Sequence, residues 1–139
     1  MDKNIILSKI ESLQRCTERI KEKTPASSDM LMKDWDLQDI IVLNLQRATQ
    51  VCVDIASHII SQLNTKTPMT MADTFSELQE TEIITAQIAD RMIKSISFRN
   101  ISVHQYQDID WNIVYSIITC NLDDFKEFAK EVLRWINQQ

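Results

Sequence analysis

Not one of the 139 residues is glycine. Glycine enters the positive-φ region at no steric cost. A chain without it lacks the usual material for two-residue hairpin turns and for backbone cradles around phosphates. β-sheet architectures, P-loop sites and dinucleotide-binding turns are therefore disfavoured. Helix interiors are better made without glycine. The two prolines, Pro25 and Pro68, fall outside the periodic segments, where an all-helical chain tolerates them.

Apolar spacing leads to the same fold class. Residues 3–23 read as a first helix, with Ile6, Ile10, Leu13 and Ile20 near helical spacing. "TPASSD", residues 24–29, reads as a loop. A long second helix is expected over about residues 37–63, where the rows Ile41/Ala48/Ile55 and Leu45/Cys52/Ile59 form a broad apolar face. "NTKTPMTMADT" is the next connection, and Asp73 or Thr74 is a candidate cap for a short turn through "FSELQE". Another helix should run from about Ile84 to beyond Ile96. The last is expected from Asp110, its N-cap, to Asn137, with the rows Trp111/Ile118/Phe125/Val132 and Tyr115/Leu122/Ala129/Ile136. With no repeat, low-complexity tract or linker, residues 1–139 read as a single domain. The expected architecture is an all-α antiparallel bundle of four to five main helices.

The net charge of −5 makes the chain as a whole a poor attractor of nucleic acid, so any such contact must rest on a local basic patch. Cys16, Cys52 and Cys120 are far apart and lack the C-x-x-C spacing. Their odd number suits reduced thiols in a cytoplasm. The N-terminal "MDKNIILSKIE" is amphipathic, unlike a signal peptide, and no apolar run approaches membrane-spanning length. The expectation is a cytoplasmic, unanchored protein.

Against this apolar background, "SFRNISVHQYQDID" (residues 97–110) stands out. If the third long helix continues through it at about 100° per residue, Ala89, Met92, Ile93, Ile96 and Val103 form an inward stripe. Arg99, Asn100, His104 and Tyr106 fall on that same stripe. A buried guanidinium without partners costs several kcal/mol, so the stripe should emerge into a cleft or be closed over by a second chain. Arg99 and His104 lie about 140° apart with about 7.5 Å of rise, so one straight helix does not aim both at a single atom. A bend would solve this, as would a two-fold homodimer that brings two copies of the motif face to face; the dimer is favoured because it also doubles the imidazoles in the cleft.

That set of groups suits RNA cleavage without a metal. A 2′-hydroxyl attacks the adjacent phosphorus, one group takes its proton, another protonates the leaving 5′ oxygen, and a cation neutralises the phosphorane. Histidine can act in either protonation state near neutral pH, and arginine grips phosphate oxygens bidentately. Asn100 would orient an imidazole or donate to a phosphate.

Other polar residues have plainer readings beside the functional ones. Asp54 and His58, at i,i+4, can pair with each other. Alternatively, Asp54 is a supporting carboxylate that holds Arg99 or His104. Tyr106 can be an interface aromatic with its hydroxyl satisfied. Lys126, Lys130 and Arg134, and likewise Arg15, Arg19 and Lys23, line up on helix faces interleaved with Glu18, Glu127 and Glu131, which reads as solvated surface. The two histidines lie on separate segments with no metal-ligand spacing, so neither metal nor cofactor is expected.

"RNISVHQY" resembles the Arg-x4-His-x-Tyr signature of the HepT-type HEPN toxins, which are paired with MntA-type nucleotidyltransferase antitoxins. "CVDIASHII", "TFSELQETEIIT", "YQDIDWNIVY" and "LDDFKEF" follow that family's pattern in the same order, over nearly the whole chain. The resemblance implies an all-α homodimer and a metal-independent endoribonuclease toxin of a type VII toxin–antitoxin system. It implies that Arg99 and His104 are the catalytic pair, that Asn100 is the accompanying polar residue, and that Tyr106 receives AMP from the antitoxin. Phe98 stands where many relatives have a glycine shortly before the arginine. The alternative from another class is a non-catalytic HEPN module that binds a nucleotide or a nucleotidyltransferase partner, with Arg99 holding a phosphate without turnover.

Overall fold

The computed structural model describes residues 2–139; Met1 lies outside the described residues. Among them the chain is helical, without strands: α1 (Lys3–Lys23), α2 (Ser28–Lys33), α3 (Trp35–Ser61), α4 (Met71–Glu80), α5 (Ala86–His104), α6 (Trp111–Ser116) and α7 (Asp123–Asn137). A 3₁₀ turn at Tyr106–Asp108 follows α5, and a π turn at Ile117–Asn121 joins α6 to α7.

Side-chain caps explain most of the starts. Asp2, Ser27, Asp34, Thr70, Thr85 and Asp110 each accept a backbone N–H from the first turn of the helix that follows. Asp110 is thus the expected cap. Asp34 starts α3 two residues earlier than the spacing suggested, and Ser27 turns part of the expected loop into α2. Thr70, rather than Asp73 or Thr74, caps α4, while Asp73 accepts from the Met69 N–H at 3.1 Å.

The expected single last helix is interrupted by the π turn. There the Thr119 hydroxyl donates to the Tyr115 carbonyl at 2.7 Å, satisfying an acceptor that the widened ladder serves less well. Its apolar rows nevertheless stay inward, with Ile118, Leu122, Phe125, Ala129, Val132 and Ile136 all buried. Phe75 of α4 meets Phe128 of α7 edge-to-face at 5.6 Å between ring centres.

One positive φ occurs despite the lack of glycine. Glu82 has φ 61 just past the end of α4, where the Ile83 N–H donates to the Leu78 carbonyl and the Glu82 N–H to the Gln79 carbonyl. This is a Schellman cap with a glutamate in the position that favours glycine.

α5 packs against α4, α7 and α3, and polar contacts to the last two set its direction. Its N-terminal half lies antiparallel to α7: Thr85 is held through its backbone N–H and hydroxyl by the Glu131 carboxylate (2.7 and 3.1 Å), and Arg91 pairs with Asp124 at 2.7 Å. Its C-terminal half lies antiparallel to α3. Gln46 Nε2 donates to the buried Ser102 hydroxyl at 3.0 Å, and just beyond the helix end Tyr106 reaches Asp39. No described helix is long and apolar enough to cross a membrane.

Candidate active site

The inward row of α5 is core as far as Ile96 and then runs past its cover. Ala89, Met92 and Ile96 are buried and Arg99 is half-buried, but Val103, expected inward, is 45% exposed. Asn100 and His104 are exposed. The helix therefore delivers its polar residues to an open surface and not into a closed core, which removes the desolvation penalty that a buried arginine would carry.

Arg99 and His104 share one continuous helix and hence keep the wide angular separation expected of them. Arg99 Nη1 donates to Asn100 Oδ1 at 3.3 Å, so the amide braces the guanidinium and does not orient an imidazole. Asn100 Nδ2 has no partner among the described residues and stays available as a donor. Ser102, between the two motif residues, donates to the Arg99 carbonyl at 2.7 Å while accepting from Gln46. One buried hydroxyl thereby fixes this turn of α5 against α3.

Tyr106 departs from its expected place. The helix ends at His104, so Tyr106 is not on a helical row with Arg99; it opens the 3₁₀ turn and folds back on α3. Its hydroxyl donates to Asp39 Oδ1 at 2.7 Å, and its ring meets Trp111 edge-to-face at 6.0 Å. Burial of the ring, then the hydrogen bond to Asp39 and its negative charge, push the phenol well above its usual range. Ile109, buried just downstream, anchors the other end of the turn.

Asp54 lies elsewhere. Its carboxylate accepts from Gln50 Nε2 at 2.9 Å within α3, and no hydrogen bond joins it to Arg99 or His104 among the described residues. The expected Asp54–His58 pair is also absent there, and His58 Nε2 is buried without a partner. Among the described residues no three of His, Cys, Asp and Glu converge as a metal-ligand set. The basic faces behave as surface: Arg19 pairs with Glu22 and Lys130 with Glu127, all on exposed side chains.

Asp39, Gln46 and Ser102 were not singled out by the sequence. Ser102 had a usable signal, a small polar residue next to an apolar row. Asp39 had none, because its partner lies 67 positions away across a helix end.

The Ribonuclease HepT-like family matches residues 13–132. The chain belongs to this family. Among HepT-like relatives, the mRNA nuclease HepT of Shewanella oneidensis is 36% identical over 125 residues, covering 90% of this chain and 93% of its own. The tRNA nuclease HepT of Aphanizomenon flos-aquae is 30% identical over 128 residues, covering 92% and 87%. The tri-AMPylated Shewanella oneidensis HEPN toxin, solved in complex with MNT antitoxin, superposes with a TM-score of 0.89 at 34% identity, over 96% of this chain and 99% of that one. The all-α fold expected from the missing glycine and the apolar rows is the fold of these HepT-like toxins.

Proposed function

We propose that this chain is a metal-independent endoribonuclease toxin of a type VII toxin–antitoxin system, acting in the cytoplasm as a homodimer. The observation that carries this reading is the open C-terminal end of α5. There Arg99, half-buried, and His104, exposed, stand on a turn braced by Ser102 and Gln46, in a chain that belongs to the HepT-like family. Ile101 and Val103, 43% and 45% exposed beside the motif, supply the apolar surface that a second copy would cover.

In that dimer two His104 imidazoles and two Arg99 guanidinia face one phosphodiester. One imidazole takes the 2′-hydroxyl proton as the oxygen–phosphorus bond forms. The other gives a proton to the 5′ oxygen as its bond to phosphorus breaks, leaving a 2′,3′-cyclic phosphate and a 5′-hydroxyl. The guanidinia neutralise the phosphorane, and Asn100 Nδ2 is placed to donate to it. Asp54, bonded within α3, supports the helix that carries Gln46 and has no direct part in this step.

Neutralisation follows from AMP transfer to Tyr106 by a cognate MntA-type nucleotidyltransferase antitoxin, which adds negative charge and bulk two residues from His104.

The purified protein should cut RNA in the presence of EDTA and leave cyclic phosphate ends. His104→Ala should lower the rate by about 10²–10⁴-fold. Undiminished cutting by that variant, with intact helicity, would end the reading. Absence of any cleavage together with tight ATP or antitoxin binding would favour the non-catalytic module, which the net charge of −5 also suits. Incubation with the antitoxin and ATP should add mass in steps of AMP, and Tyr106→Phe should abolish the addition.

A further inference from the structure

Asp39 has no part in the cleavage step proposed above, yet it holds the one phenol that the antitoxin is proposed to modify. It sits on an exposed turn near the start of α3, and its Oδ1 lies 2.7 Å from the Tyr106 hydroxyl. The ring is held on its other side by Trp111, so neither rotation of the phenol nor slack in the turn is needed to keep the contact. The phenolic proton points at the carboxylate, which leaves the oxygen lone pairs directed away from it, and the residue as a whole is 38% exposed.

We propose that Asp39 is the proton acceptor for AMP transfer to Tyr106, so that the toxin itself supplies the general base for its own modification; this rests on the reading of Tyr106 as the AMP acceptor. In the step, the Tyr106 oxygen forms a bond to the α-phosphorus of ATP while the bond from that phosphorus to the bridging oxygen of pyrophosphate breaks. The phenolic proton passes to Asp39 Oδ1, and pyrophosphate leaves with the bonding electrons. The need for such a base is local. Burial and the neighbouring carboxylate disfavour free phenolate, so ionisation before attack is uphill, whereas transfer during attack is not. A carboxylate that accepts the proton of an attacking hydroxyl is a known solution in phosphoryl transfer. Here it is built into the acceptor.

The test compares wild type, Asp39→Asn and Tyr106→Phe, using the cognate antitoxin, ATP and intact mass to time the first AMP addition. Asp39→Asn keeps an oxygen that accepts the phenolic hydrogen bond and removes its basicity. It should slow the maximal rate by about 100-fold or more and leave the KM for toxin within about threefold. A ring-fluorinated tyrosine at position 106, whose phenol is more acidic, should recover much of that loss in Asp39→Asn and change wild type little. A thermal melt and circular dichroism check that each variant is folded.

An Asp39→Asn rate within threefold of wild type, or a loss seen only in KM or unaffected by fluorination, would overturn the assignment of Asp39 while leaving Tyr106 as acceptor. Continued AMP addition to Tyr106→Phe, or none to wild type, would remove the acceptor itself and the proposal with it.

Discussion

Ser102→Ala tests how the site is held in position. Ser102 is 2% exposed, and its hydroxyl donates to the Arg99 carbonyl at 2.7 Å and accepts from Gln46 Nε2 at 3.0 Å. Its removal leaves the Arg99 carbonyl with its ordinary helical partner, and the half-buried Gln46 amide can turn toward water. The loss should therefore be near the net worth of one to two hydrogen bonds, about 1–2 kcal/mol, and not a full desolvation penalty. For a domain of this size that is a fall in Tm of roughly 3–8 °C. Because the lost contact pins the turn between Arg99 and His104 to α3, RNA cleavage should fall at least about tenfold, in line with the sensitivity of catalysis to small misplacements.

Thermal unfolding of Ser102→Ala, Gln46→Ala and the double variant gives the coupling directly, expected at about 1 kcal/mol. Ser97→Ala, on the exposed side of the same helix, is the control and should move stability by no more than about 0.5 kcal/mol. Strict additivity of the two single losses, or a Ser97→Ala loss as large as that of Ser102→Ala, would refute the claim that this hydroxyl joins α5 to α3.

Glu82→Gly should stabilise the protein by about 0.5–1 kcal/mol, read by denaturant midpoint, because a side chain is removed from a left-handed cap at φ 61. A thiol reagent should label Cys120 quickly in the folded protein and reach Cys16 and Cys52 only on unfolding. Both of those are buried, and burial raises both thiols, the 0% exposed Cys52 most. Alkaline titration should weaken the fold from pH about 10 upward, where the unfolded phenol ionises while folded Tyr106 stays protonated. The unfolded state then binds fewer protons, and stability falls with rising pH. Tyr106→Phe should show a shallower alkaline loss by thermal melts.

The fold was legible because its signals are local and repeated. The rows Ile41/Ala48/Ile55 and Leu45/Cys52/Ile59 are buried throughout, as are the α7 members of the last helix's rows. Boundaries were less legible where short-range chemistry competes. Ser27 begins a helix that the apolar spacing did not announce, Asp34 starts an expected one two residues early, and Thr119 accompanies a π turn that seven-residue counting passes over. Arg99 and His104 could be placed on one helix because five residues of helix fix their relation whatever surrounds them. Tyr106 could not, because nothing in "QYQD" resembles a glycine or proline stop, and the helix ends there with a long-range bond in place of a local signal. The Asp54–His58 pair was legible and yet unmade, since Gln50, one turn before Asp54, takes that carboxylate first.

The polar motif lies where the covering helices leave α5 uncovered, and this accounts for both its tolerance and its use. Buried, Arg99 would need a fixed counter-charge, and that charge would compete with a phosphate for the guanidinium. Half-exposed and braced only by the neutral Asn100 amide, it stays cationic and uncommitted. The tethers that position it are likewise uncharged at the motif: a hydroxyl and an amide between α5 and α3. The tethers that carry charge, the Arg91–Asp124 ion pair and the Glu131 carboxylate that accepts from Thr85, are kept to the far half of the helix. The exception is Asp39 of α3, a carboxylate brought beside the end of the motif by its hydrogen bond to Tyr106, two residues past His104. The Tyr106 hydroxyl occupies one oxygen of that anion with a hydrogen bond. The proposed attachment of AMP to the phenolic oxygen would remove the bonded proton and set a phosphodiester beside the carboxylate. The hydrogen bond that ties the 106–108 turn to α3 would be lost with that proton.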